Sequence, residues 1–188
     1  MKRAGKLAIG AALTTAIAVF GALKTVSAPA NETGTSLPAS EAPAAAQTGS
    51  CGYIWAYKDA PELTTSFDSA VKALNAEASG RAELFGEDCV YDDGSVTFGV
   101  METDFFTLLP VDDLSQEDEF GNWVAQVMEI VTQIPREELP GNYGFVEFTF
   151  EKNEAEWIGF RVPIQQYIND AQGKSGAELF RLFYSPPQ

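Results

Sequence analysis

The chain is predicted to fold as an α+β two-layer sandwich, an antiparallel sheet of four to five strands with helices packed on one face. Three features predict this. Two amphipathic helical patterns each precede a pair of strand-like segments, giving a helix-hairpin-helix-hairpin order. Turn residues sit between the strands of each pair. About 138 residues remain once the N-terminal segment is set aside, enough for one domain with one core.

The chain opens on an export pattern. Lys2, Arg3 and Lys6 form a positive start, Leu7 to Leu23 is an uncharged and mostly apolar run, and Lys24 closes it. Residues 1–27 therefore read as a signal peptide or an N-terminal membrane anchor. Ala28-Pro29-Ala30 offers small residues for cleavage after Ala30. Without cleavage, residues 7–23 stay in the membrane. In both cases the basic excess before the run places the body outside the cytoplasm. Residues 28–50 are rich in Ala, Pro, Ser and Thr and hold no aromatic residue. Such a segment buries too little to offset its ordering entropy and reads as a disordered linker. As flexible coil it would span roughly 25 Å. Residues 51–185 are the expected globular domain. This order of segments resembles that of many exported bacterial proteins, a likeness of architecture that implies no activity.

Within the domain, Gly52 to Tyr57 (GYIWAY) is short, aromatic and strand-like. Pro61 breaks the chain. Thr65 or Ser66 then caps a helix in which Phe67, Val71, Leu74 and Ala78 recur at helical spacing, ended by Gly80. Arg81 to Tyr91 reads as a strand and Asp93-Gly94 as a hairpin turn. Val96, Phe98 and Val100 alternate with polar or small residues in the returning strand. Strict alternation would put Glu102 and Asp104 on that same apolar face, so a bulge or a strand end is expected near Met101.

The second unit repeats the plan. Ser115 caps a helix with Glu117, Asp118 and Glu119 in its positive first turn. Phe120, Trp123, Val124, Val127, Val131 and Ile134 form its apolar stripe, and Pro135 stops it. In GFVEFTFE (144–151), Val146, Phe148 and Phe150 share one face. In WIGFRV (157–162), Ile158, Phe160 and Val162 do the same. Pro163 at a helix N1 position and Gly173 past the end bracket a short helix. Ala177 to Tyr184 fits a helix and a strand equally well.

Charge narrows the function. The chain has 12 basic and 27 acidic residues, net −15. Every basic residue before Asn31 lies in the export segment, so the body is more acidic still. Such a body repels phosphate backbones, so no nucleic-acid partner is expected, and membrane contact is expected only through an uncleaved N-terminus. No histidine occurs, which removes Ser-His-Asp and Cys-His machinery and imidazole zinc sites. Two cysteines, Cys51 and Cys89, read as one disulfide in an oxidising compartment.

The remaining motifs are weak. Ser69-Ala70-Val71-Lys72, Tyr167-Ile168-Asn169 and Lys174-Ser175-Gly176 match, in order, short elements of penicillin-binding enzymes. The last two lie too close together, and the domain is too small for that fold. Gly173-Lys174-Ser175 lacks the earlier glycine of a phosphate loop. Acidic runs at Glu87, Asp88, Asp92 and Asp93, and at Asp112, Asp113 and Glu117 to Glu119, lack the calcium-loop spacing. No metal or cofactor is expected, and no catalytic residue is named.

The second face of the sheet is the informative feature. If the apolar alternation meets the helices, Phe145, Glu147, Thr149, Trp157 and Arg161 point away from them. Aromatic residues, an arginine and carboxylates on an open sheet make an interaction face, since Trp, Tyr and Arg dominate interface hot spots. The alternative is that the N-terminal strand, the C-terminal tail or the third helix covers it. The leading expectation is a non-catalytic exported domain that binds an envelope or extracellular protein. The second is a small-molecule or Ca2+ binding module. The third is a small hydrolase using carboxylates such as Glu102 and Glu147.

Overall fold

The computed structural model describes residues 50–185. The expected signal or anchor segment, the linker up to Gly49 and the final Pro186-Pro187-Gln188 lie outside the described residues. The domain is α+β, with a five-stranded mixed sheet and four helices.

The strands β1 (Gly52–Asp59), β2 (Ser79–Val90), β3 (Val96–Pro110), β4 (Asn142–Asn153) and β5 (Glu156–Pro163) lie side by side in chain order. Helix α1 (Pro61–Leu74) joins β1 to β2, and α2 (Glu117–Gln133) joins β3 to β4. After β5 come α3 (Ile164–Gln166), continued by a wide turn over Tyr167–Ala171, and α4 (Gly176–Phe183). The sheet is not antiparallel throughout: β3 and β4 pair in parallel. The expectation treated every strand neighbour as a hairpin partner. Here α2 carries the chain back along the sheet, so β4 enters in the direction β3 entered.

Local chemistry shifts several boundaries. α1 begins at Pro61, where a missing N–H costs nothing. Thr65 and Ser66 are therefore inside the helix, and the Thr65 hydroxyl donates to the Pro61 carbonyl at 2.8 Å. α1 ends at Leu74 because Asn75 turns extended and its side chain accepts the Glu77 N–H at 2.9 Å. Ala78 and Gly80 thus belong to the turn and to β2. Ser115 does not cap α2. Its hydroxyl donates to Asp113 at 2.8 Å, and α2 starts at Glu117 with the three acids in its first turn. Pro163 ends β5 rather than opening the next helix. The ambiguous C-terminal segment is helical, with Leu179 and Phe180 buried.

The irregularity expected near Met101 is a bulge. Phe85 pairs with Glu102 and Gly86 with Val100, leaving Met101 unmatched. The strand continues, and everything after Met101 changes face.

One face of the sheet carries the core. Ala82, Phe105, Val146, Phe148, Phe150 and Val162 are buried there. Phe67 of α1 meets Phe105 edge-on at 4.9 Å, Phe120 of α2 stacks on Phe150 at 4.1 Å, and Phe180 of α4 meets Phe160 at 5.5 Å. Thr64 fixes α1 to β2, its hydroxyl donating to the Ala82 carbonyl at 3.1 Å and accepting the Ala82 N–H at 2.9 Å. Gly121 and Gly176 let α2 and α4 touch, because a Cβ on Gly121 would overlap the Gly176 carbonyl.

Candidate functional site

The opposite face of the sheet is built by the other set of alternating residues. Register makes Arg81 of β2 the partner of Phe106 of β3, Phe106 the neighbour of Glu147 of β4, and Glu147 the partner of Arg161 of β5. Partnered residues in adjacent strands share a face, so these four form one row across the sheet. Phe145, Thr149 and Trp157 lie on the same face. The five residues singled out on this face by alternation are therefore together, and each is exposed or half-buried. β1 does not cover them. It extends the sheet at its edge, next to β2.

The row has a repeated unit, an arginine over a phenylalanine and beside a glutamate. The Arg81 guanidinium lies 3.8 Å from the Phe106 ring centre and pairs with Glu83. The Arg161 guanidinium lies 4.2 Å from the Phe145 ring centre and pairs with Glu147 at 2.8 Å. Phe106 and Phe145 meet edge to face, with centroids 5.8 Å apart. Flat cations on ring faces favour this stacking. At the β5 margin Trp157 is 59% exposed, and its ring occupies space that a Cβ on Gly159 would fill.

The β1 margin adds residues the sequence reading did not assign. Tyr53, Trp55 and Tyr57 are 68%, 65% and 56% exposed. Trp55 stacks on Phe85 at 5.5 Å, and Tyr57 leans on it at 4.9 Å. The signal was present as alternation, since Arg81, Glu83 and Phe85 alternate with Ala82 and Leu84, as the aromatics of β1 do with Ile54 and Ala56. The Cys51–Cys89 disulfide joins the start of β1 to β2, with Cα atoms 5.4 Å apart, an ordinary disulfide separation.

Asp104 lies beneath the middle of this face. It is fully buried, and its Oδ1 accepts the Phe145 N–H at 3.2 Å. The β3–β4 register shifts there, and Gly144 leaves the space that Oδ1 occupies. Oδ2 has no hydrogen-bond partner among the described residues. Burial pushes the Asp104 carboxyl up to about 6. The Phe145 N–H and Arg161 pull it down, while Glu102 and Glu83 add to the rise.

The weaker motifs come apart. The Ser69 hydroxyl donates to the Thr65 carbonyl at 2.8 Å, and Lys72 pairs with Asp68 at 2.7 Å, so neither activates the other. Asp93 accepts the Ser95 hydroxyl and N–H, and Asp113 accepts the Ser115 N–H and hydroxyl and the Gln116 amide; these bonds hold both carboxyls below the usual range. Among the described residues no group of three or more Asp, Glu or Cys side chains converges as a cation site. A groove of about 530 Å3 between α1 and α2 is lined by Leu63, Phe67 and Ile130 among others. No helix of the described residues is long and apolar enough to cross a membrane. No protein-family model, no curated protein and no solved structure matches this chain.

Proposed function

We propose that this is a non-catalytic, exported binding domain that uses the helix-free face of a two-layer fold to hold a protein of the cell envelope or its surroundings. The observation that carries the reading is the Arg81–Phe106–Glu147–Arg161 row, flanked by exposed Trp157 and Trp55. Aromatic rings and arginines already fixed by stacking lose little freedom on association, which favours them as contact residues. The disulfide supports an oxidising, extracytoplasmic setting.

The test is crosslinking of the full chain in its native host, followed by mass spectrometry. A partner captured by the natural chain and lost with Trp157→Ala or Phe145→Ala is the expected result. Undiminished capture by both variants would overturn the sheet-face reading. A second reading, a small-molecule module, is favoured by the α1–α2 groove. It requires a metabolite that raises the melting temperature and an effect abolished by Leu63→Arg.

A further inference from the structure

The edge strand β1 carries the least protected part of the open face. It is the end strand of the sheet, so among the described residues one side of its backbone has no strand partner. Edge strands that avoid pairing use proline, bulges or inward charges. β1 has no proline or bulge, and its one lysine, Lys58, is bound to Asp88 at 2.9 Å on the other face. Its aromatic row Tyr53, Trp55 and Tyr57 stands open to solvent.

Behind that row acids outnumber cations, and the one arginine there, Arg81, is already paired with Glu83. Asp59 is the register partner of Glu83, Trp55 of Glu87, and Glu83 of Asp104. Asp59 and Glu87 make no ion pair among the described residues. Four of the domain's own cations, Lys58, Arg81, Arg136 and Arg161, lie over aromatic rings. Trp55, Tyr53 and Tyr57 have no cation over them among the described residues. Unpaired carboxylates beside uncapped ring faces suit a positive charge from another chain.

We infer that β1 receives an extended basic segment of a partner protein, which adds as a strand along the free edge and sets alternate Lys or Arg side chains over Trp55 and Tyr57, toward Asp59 and Glu87. Backbone pairing supplies affinity, and the aromatic and acidic row supplies the choice of a basic sequence. This rests on the reading of the open face as a binding surface, and it names the partner's chemistry and point of entry.

The probe is a labelled peptide of alternating lysine and valine, titrated against the full chain and followed by fluorescence anisotropy. It is expected to bind, to weaken with added salt, and to bind about tenfold less tightly to Trp55→Ala. Glu87→Gln repeats the test without touching the aromatic row, and melting temperatures confirm that both variants fold. A glutamate–valine peptide binding equally well would overturn the inference. So would a lysine–valine peptide N-methylated on its pairing edge that still binds, or spermine competing as well as the peptide. If the peptide fails to bind while the partner captured in cells is still lost with Trp157→Ala, the inference falls and the proposed function stands.

Discussion

The Asp104 carboxylate accepts the Phe145 N–H at 3.2 Å, across the register shift that joins β3 to β4. One oxygen is held by backbone and by the absence of a side chain at Gly144. The other is buried without a partner among the described residues. A carboxylate in this position costs the fold energy whenever it is charged.

That cost has a defined pH window. Unfolded, Asp104 titrates near its ordinary value; folded, it titrates at about 6. Between the two the native state holds the extra proton, so stability falls as pH rises through the window, by about 3 kcal/mol. Asp104→Asn keeps an oxygen for the Phe145 N–H and removes the charge. It is expected to raise stability at about pH 7.5, with the gain vanishing near pH 4. Urea unfolding of both proteins at the two pH values checks this.

Reduction should act mainly on β1. Among the described strands this one pairs with β2 alone, and nearly all its side chains are exposed. Replacing both cysteines by serine should cost about 4 kcal/mol by the chain-entropy argument. Amide exchange should quicken in β1 before it does in β4. Hydrogen-exchange mass spectrometry reads both.

Gly121→Ala is expected to be among the most damaging small substitutions in the domain. Its Cβ would fall 1.7 Å from the Gly176 carbonyl oxygen, backbone against backbone. Neither helix can yield without moving the Phe120–Phe180 contact beside it. A loss of about 3 kcal/mol is expected by overpacking, measured by thermal or urea unfolding.

Arg161→Ala should leave stability nearly intact. The guanidinium is well exposed and its pair with Glu147 is solvent-screened, so the change should be about 1 kcal/mol or less. A calorimetric melt close to that of the natural chain makes this variant a clean probe of binding.

The core was legible because period two is unambiguous where large side chains alternate. Val146, Phe148 and Phe150 could face only one way, and so could Phe145, Glu147 and Thr149. Met101 was legible for the opposite reason, since two acids out of phase demanded an extra residue. The direction of β4 was not legible, because α2 sets it through a crossover that no local pattern records. The Arg81–Phe106 stack was hidden too, as it depends on the register of two strands. The burial of Asp104 was not legible, because it needs Gly144 and the shifted register opposite it.

The parallel joint between β3 and β4 also bears on when the surface comes into being. Each hairpin, β2 with β3 and β4 with β5, closes over a short turn, whereas β3 and β4 are joined across the long α2 crossover. Distant pairings of this kind form late. The row from Arg81 to Arg161 straddles that seam, with two members on either side. A chain arrested halfway displays only half a surface, so any partner that needs the whole row engages finished molecules and passes over nascent ones.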